Sequence, residues 1–243
     1  MNHRFAIAAS IIIAASLLPL IAGFTKCAGP EAELGWLTVQ CNGGADAAAK
    51  EREVSFVFLS SADSEKFYSD GGDTKGGALD FGPMLPGEYR VVGTFESGGV
   101  PGGDKPQRHT LFAPASATIT KHERTIISVK PTGPVGVASL EVTCAADLAT
   151  PGKATHVTVL LSEQRLDMSA ARLSTKTAFD SKLVTYASIE PGARAVFEGV
   201  PKGHYHIEAV GGLDQGEEPK SLAHAEVEVT AKDMNTVTLS AAK

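Results

Sequence analysis

Two histidines with the spacing of a β-strand offer the most direct chemistry in this sequence. His204 and His206 are separated by one residue, so on a strand both imidazoles would lie on one face and could bind a metal ion together. His156 and His224 supply two further imidazoles. The sequence reveals no carboxylate that would orient the pair, and the internal repeat described below favours a solvent-facing strand surface over a metal site. We therefore expect no metal and no cofactor, with His204 and His206 as the candidate ligands to check.

Three cysteines, Cys27, Cys41 and Cys144, are the candidate thiols. In an exported chain an odd number leaves a free thiol, a lipid attachment or an intermolecular bond. Cys41 and Cys144 fall on the inward phase of two alternating segments, which predicts buried thiols that act as small hydrophobic residues. A disulfide between those two is not expected, whereas a Cys27–Cys41 bond stays open.

Other constellations that carry catalysis are missing from the sequence. Four aspartates in the segment 61–80 do not have the spacing of a compact calcium loop, and the glycine-rich segment 97–104 lacks the Lys-Ser/Thr that ends a phosphate-binding loop. No serine-hydrolase or zinc-peptidase motif occurs. The sequence predicts a protein that is not an enzyme, with a secreted hydrolase using an unrecognised site as the weakest alternative.

A carbohydrate-binding protein is the main alternative function. Sugar sites on β-sandwiches use exposed aromatic rings, and four residues are candidate contacts: Trp36, Phe67, Tyr68 and Phe112. The connecting segments 61–80, 96–110, 163–180 and 211–221 would form the contact surface.

Composition and charge limit the class of partner. The chain has 43% hydrophobic and 21% charged residues, as expected of a globular protein, and a formal net charge of -6. An acidic chain without a basic run lacks the surface that nucleic acids need. We expect a protein or polysaccharide of the envelope or exterior as partner, and no nucleic acid.

The N-terminal segment predicts export. A short positive start ends at Arg4, and residues 5–24 carry no charge, which is the pattern of a signal peptide over residues 1–24. Twenty apolar residues can also span a bilayer, so an uncleaved anchor stays open. Lipidation at Cys27 is less favoured, because Lys26 occupies the place of the small residue that a lipobox requires. The expected location is secreted, periplasmic or in the cell envelope, with membrane contact only through this segment.

The rest of the chain contains two copies of one pattern. Residues 36–41 (WLTVQC) match residues 139–144 (SLEVTC), and each copy has a second alternating segment, 54–59 or 156–161. Alternation of apolar with polar residues predicts half-buried strands. A turn with Pro and Gly follows in each copy and leads into a strand that begins with an inward tyrosine, Tyr89 or Tyr205 in the segments 81–92 and 197–207.

Each copy closes with two further alternating segments, 115–129 or 225–239, which predict a hairpin. A turn-rich connector, residues 132–137, separates the copies. The sequence thus predicts an all-β protein: two tandem antiparallel seven-stranded β-sandwich domains, 33–131 and 138–243, after an N-terminal signal peptide.

The opening strands, the turn before the tyrosine and the closing pair of strands resemble the carboxypeptidase regulatory-like domains, which belong with the transthyretin-like (prealbumin-like) sandwiches. Neighbouring families are the B-type adhesin repeats and the starch-binding-like modules. The resemblance implies an accessory role: a non-catalytic structural or interaction module of the envelope or exterior. Adhesin-type repeats often carry a Lys–Asn crosslink from the first strand, but neither first strand here contains a lysine, so that crosslink is not expected.

Overall fold

The chain is an all-β protein in which nearly every regular element is a strand. The computed structural model describes residues 33–42, 53–63, 68–70, 77–97, 106–132, 137–148, 156–167, 175–211, 220–230 and 234–241. The strands are β1 Gly35–Cys41, β2 Glu53–Ser60, β3 Tyr68–Asp70, β4 Ala78–Met84, β5 Gly87–Ser97, β6 Gln107–Leu111, β7 Ala115–Ile119, β8 Arg124–Val129, β9 Val137–Cys144, β10 Val157–Ser162, β11 Leu183–Ile189, β12 Arg194–Pro201, β13 Gly203–Gly211, β14 Lys220–Val229 and β15 Met234–Leu239. The described residues also contain a 3-10 turn, Ala146–Leu148, and a short helix, α1 (Thr175–Asp180). Among the described residues no helix is long and apolar enough to cross a membrane.

The first copy forms two sheets that pack face to face. β1 lies between an antiparallel β4 and a parallel β8. In the opposite sheet β2 pairs with β3 and β5, and β5 pairs with β7 along its first half and with β6 along its second. Leu37 and Val39 on β1 share one buried cluster with Leu59 on β2 and Tyr89 on β5, so the core lies between the two sheets.

The second copy repeats the same pairing. β9 lies between an antiparallel β12 and a parallel β15, while β10 pairs with β11 and β13, and β13 pairs with β14. The single strand β14 has the place that β6 and β7 share in the first copy. The predicted all-β sandwich class is confirmed, although β1–β8 and β9–β15 are parallel rather than antiparallel pairs.

The tyrosine that follows each Pro/Gly turn holds that turn to its strand. Tyr89 and Tyr205 are buried, and each hydroxyl donates to a backbone carbonyl four residues earlier: Leu85 at 3.0 Å and Pro201 at 2.8 Å. Burial raises the pKa of Tyr205 to about 12, because the charged phenolate is disfavoured there. The predicted inward orientation of both tyrosines agrees with these positions.

The expected closing hairpin is wrong. β7 pairs with β5 in one sheet, whereas β8 pairs with β1 in the other, so the chain crosses between sheets at the turn. In the first copy this turn contains His122 in the left-handed region, with φ 59°. The sequence pattern is the same for a hairpin and for a crossover, because both join two alternating strands through a short polar turn.

The two copies are joined along one sheet. β6 of the first copy pairs in parallel with β12 of the second, which links the strands into the order β15-β9-β12-β6-β5-β2-β3. Arg108 on β6 is 2.5 Å from Glu198 on β12, and the Thr110 hydroxyl donates to the same carboxylate. Leu111 belongs to the core of the second copy.

A separate apolar cluster lies where the outer faces of the two copies meet. Phe58 and Val92 come from the first copy. The second copy supplies Leu160, Leu166, Ala178, Leu183 and Val210, with Tyr186 packed against them. We call these residues the junction cluster. Every described position of β10 is buried, which means that this strand is covered on both faces.

Residues Leu34–Lys243 form one compact unit, which contains both copies. The predicted boundaries 33–131, 132–137 and 138–243 stay predictions. β8 ends at Val129 and β9 begins at Val137, on either side of the expected connector. The backbone amide and hydroxyl of Thr132 both donate to the carbonyl of Leu111, which ties the start of the connector to β6. The predicted signal peptide, residues 1–24, lies outside the described residues.

Candidate functional site

Histidines and glutamates face one another across β13 and β14 on the outer side of the second copy. The two strands are antiparallel, and alternate residues share a face. The opposed pairs are His204 with Glu228, His206 with Glu226, and Glu208 with His224. We call these six residues the histidine–glutamate ladder. Along β13 its side chains become more buried, from the exposed His204 through the half-buried His206 to the buried Glu208.

Within the ladder, the side chains of His204, His206 and Glu226 converge, and His224 contacts His206. Glu226 lies 3.4 Å from the Nε2 of His204 and 3.5 Å from the Nδ1 of His206. The Nδ1 of His206 is 3.3 Å from the Nε2 of His224, and these two rings are stacked. One ligand atom from each of His204, His206 and Glu226 lies within 4.8 Å of the others.

Further polar groups lie at the two ends of the ladder. The second carboxylate, Glu228, is 3.6 Å from the Nδ1 of His204, on the opposite side of that ring from Glu226. The Ser221 hydroxyl donates to the carboxylate of Glu208. The pKa of His206 lies below its ordinary value, chiefly because burial disfavours the imidazolium, while Glu226 opposes that shift and the neighbouring histidines add to it.

The structure supports one part of the expectation for His204 and His206 and corrects another. Both lie on the outer face, as the repeat predicts. The expectation that no carboxylate accompanies them is wrong, because Glu226 and Glu228 are brought to them by the neighbouring strand. His224 belongs to the same group. His156 does not: it precedes the first residue of β10, whereas His206 pairs with Ser162 at the last residue of that strand.

The outer face of the β4-β1-β8 sheet carries an aromatic ring beside polar groups. Trp36 is 36% exposed and faces Arg124 across the β1–β8 pair. Arg124 contacts the Asp80 carboxylate at 2.5 Å and the Thr38 hydroxyl at 2.8 Å. The pKa of Asp80 is lowered by the hydrogen bond from Thr38 and by Arg124. We call Trp36, Thr38, Asp80, Arg124 and the exposed Ile126 the Trp36 face.

A glycine lets the indole lie against the backbone there. A Cβ on Gly82 would stand 2.5 Å from the Cδ1 atom of Trp36, closer than carbon atoms approach. Gly82 also has φ 144°, which side chains of L-residues rarely adopt. The placement of Trp36 therefore depends on glycine at this position of β4.

Phe112, another aromatic candidate, is buried and does not extend this face. Phe112 is 6% exposed and its ring packs on Phe95 with centroids 4.7 Å apart, so the expectation that it contacts a ligand is wrong. Tyr68 begins β3, and Phe67 lies outside the described residues. Parts of the expected contact loops are regular structure instead: β3 and β4 in 61–80, β6 in 96–110, and α1 in 163–180.

The described thiols are placed as the alternation predicts. Cys41 and Cys144 are free and buried, one in the core of each copy. Burial raises the pKa of each to about 11, so both are protonated at neutral pH and neither is a ready nucleophile. The Cys27–Cys41 disulfide is not formed in this structure, because Cys41 is free. Cys27 itself lies outside the described residues, and its lipidation stays a prediction.

Comparison with known proteins gives no family for this chain. No protein-family model and no curated protein sequence matches it. Among solved structures, the chain is similar to GBS52, the minor pilin of Streptococcus agalactiae, at 12% identity over 86% of this chain and 97% of that one, with TM-score 0.27. The shaft pilin SpaA of Lactobacillus rhamnosus GG, in its D295N mutant, matches at 9% identity over 86% and 98%, with TM-score 0.26.

The Bacillus anthracis TIE protein matches 86% of this chain at 12% identity and TM-score 0.25, and this chain spans 34% of its length. TM-scores of this size carry no argument about function.

Proposed function

We propose that the chain is an exported, non-catalytic module of the cell envelope or exterior, which contributes structure and interaction surface. The observation that carries this proposal is the junction between the copies, where a continuous sheet and a buried apolar cluster join them. Polar interfaces between domains permit relative motion, whereas extensive apolar ones oppose it. Two copies held rigidly together in this way can act as a spacer and can present a binding surface to a partner.

The polar groups of the described residues also favour a non-catalytic role. The two thiols are buried with a raised pKa, and His109 is buried without a hydrogen-bond partner among the described residues. A nucleophile needs a positioned base and access to substrate, and none of these three groups has both. The location in this proposal, the cell envelope or exterior, rests on the predicted signal peptide, residues 1–24.

The Trp36 face favours carbohydrate binding as the second candidate function. An exposed indole can stack on the apolar face of a sugar ring, and the adjacent guanidinium, carboxylate and hydroxyl can bind its hydroxyl groups. Trp36, Arg124 and Asp80 provide this combination on one sheet face.

A binding panel with variants separates the two candidates. The purified chain is tested for retention on polysaccharides and on isolated cell-envelope material, together with Trp36→Ala and Arg124→Ala. Met234→Ala is the matched control, because Met234 has the place in the second copy that Arg124 has in the first. Met234 pairs with Ser139 on β9, and Arg124 pairs with Trp36 on β1. The structural proposal predicts envelope association and no saturable polysaccharide retention. Retention that is lost in both Trp36 face variants and kept in the control would establish the carbohydrate-binding function instead.

Export and catalysis are tested on the same material. We expect the chain recovered from its native host to be found in the envelope or exterior fraction and to lack residues 1–24 by mass. A hydrolytic activity that follows the pure protein through purification, and that a single substitution abolishes, would contradict the non-catalytic role.

A further inference from the structure

We propose that the histidine–glutamate ladder binds one divalent transition-metal ion, with Zn²⁺ as the reference ion. His204, His206 and Glu226 are the ligands, and His224 lies beside His206, on which its ring stacks. This site is additional to the structural role proposed above, and neither proposal depends on the other.

The spacing of the ligand atoms fits a tetrahedral ion. Nitrogen and oxygen ligands lie about 2.0–2.2 Å from zinc, so two ligands of a tetrahedral site are roughly 3.3–3.5 Å apart. One ligand atom from each of His204, His206 and Glu226 lies within 4.8 Å of the others, and Glu226 is 3.4 Å from His204 through Oε2 and 3.5 Å from His206 through Oε1. The side chains of His204 and Glu226 are exposed, so their rotation can close the remaining distance to an ion.

The type and support of the ligands select the class of metal. Imidazole nitrogens with one carboxylate suit zinc, copper and nickel, whereas calcium and magnesium require oxygen ligands. Histidine ligands are commonly held by a carboxylate at the second ring nitrogen. Glu228 lies 3.6 Å from the Nδ1 of His204, which leaves the Nε2 of that ring for the ion beside Glu226.

The first copy provides an internal comparison. The positions equivalent to the ladder are Glu88 opposite Thr118 and Arg90 opposite Ser116 on β5 and β7. The same fold therefore accommodates this strand pair without any imidazole. The three histidines of the ladder are specific to the second copy, and their convergence is not a requirement of the repeat.

Calorimetric titration of the untagged, full 243-residue chain with zinc chloride tests the proposal. We expect one ion per chain, and a rise in the unfolding temperature on adding zinc. The double variant His204→Glu/His206→Arg gives the second copy the residues of the first, and we expect it to bind at least about 100-fold more weakly, since loss of supporting residues alone costs 10–100-fold. His122→Asn and His156→Asn remove exposed histidines elsewhere and should leave binding unchanged.

Cobalt in place of zinc reports the ligand geometry through its visible absorption, and the tetrahedral bands should vanish in the double variant. If circular dichroism shows that this variant does not fold, His224→Asn/Glu226→Gln is measured instead. The proposal is overturned if the chain binds no zinc saturably, or if the ladder variants bind as tightly as the chain itself. It is equally overturned if the His122 and His156 variants lose binding to the same extent.

Discussion

The imidazole of His109 is buried where the two copies meet, and its protonation should weaken the fold. It lies on β6 opposite Glu96 on β5 and Phe197 on β12, and its ring stacks on that phenylalanine with centroids 5.5 Å apart. Burial lowers its pKa from 6.5 to about 4. Between these pH values the unfolded chain binds more protons than the folded one, so stability falls as the pH falls.

His109→Phe keeps an aromatic ring against Phe197 and removes the titration. We expect the unfolding free energy of the unchanged protein to fall by roughly 3 kcal/mol more than that of the variant on going from pH 7 to pH 4, because each pKa unit corresponds to about 1.4 kcal/mol. Urea unfolding at both pH values measures this difference. Equal losses in the two proteins would show that His109 makes no contribution to acid sensitivity.

At the scale of elements, the outer faces of two strands join the copies. Phe58 on β2 has no exposed surface and packs in the junction cluster with residues such as Leu160 on β10. Phe58→Ala should lower the unfolding free energy by about 3–5 kcal/mol, the usual cost of removing a buried ring. Ile126→Ala is the control, because Ile126 is 58% exposed on β8, and exposed substitutions usually change stability by less than about 0.5 kcal/mol.

Equilibrium urea unfolding of both variants gives these values. A loss in Phe58→Ala no larger than that in Ile126→Ala would mean that the junction cluster does not stabilise the protein.

The strands and their inward faces could be predicted from the sequence because they depend on local alternation. Leu37, Val39 and Tyr89 are buried as their pattern predicts. The partners of each strand could not be predicted in the same way. The segment 156–161 was predicted to be a half-buried strand, but every position of β10 is buried, because distant residues such as Phe58 cover its outer face.

The same limit explains what the sequence revealed of the candidate site. His204 and His206 are two residues apart, so their shared face was evident. Glu226 and His224 reach them through the register of β13 with β14, and register depends on the loop between the strands and on side-chain packing. Phe112 was a candidate contact as one of few aromatic residues, but it directly follows β6 and packs on Phe95, a contact between distant residues that the sequence pattern does not reveal.

At the scale of the whole molecule, the junction should make both copies unfold together. Cys41 and Cys144 are buried in different cores, so the rate at which each thiol reacts with a labelling reagent reports the opening of its own copy. If the β6–β12 pairing and the junction cluster couple the copies, we expect both thiols to become reactive over the same range of urea concentration. Mass spectrometry of the digested protein measures the two sites separately.

Phe58→Ala provides the decisive comparison, because it weakens the junction without touching either cysteine. If the copies are coupled, this variant should uncouple their unfolding. Cys41 and Cys144 should then become reactive at different urea concentrations, and the thiol in the less stable core should react at the lower one. Fluorescence of Trp36, the single tryptophan and a residue of the first copy, should then follow the Cys41 curve. If the two thiols react at different urea concentrations in the unchanged protein, the copies are independent domains that touch. The proposal that a fixed junction makes the chain a rigid spacer would then no longer be supported.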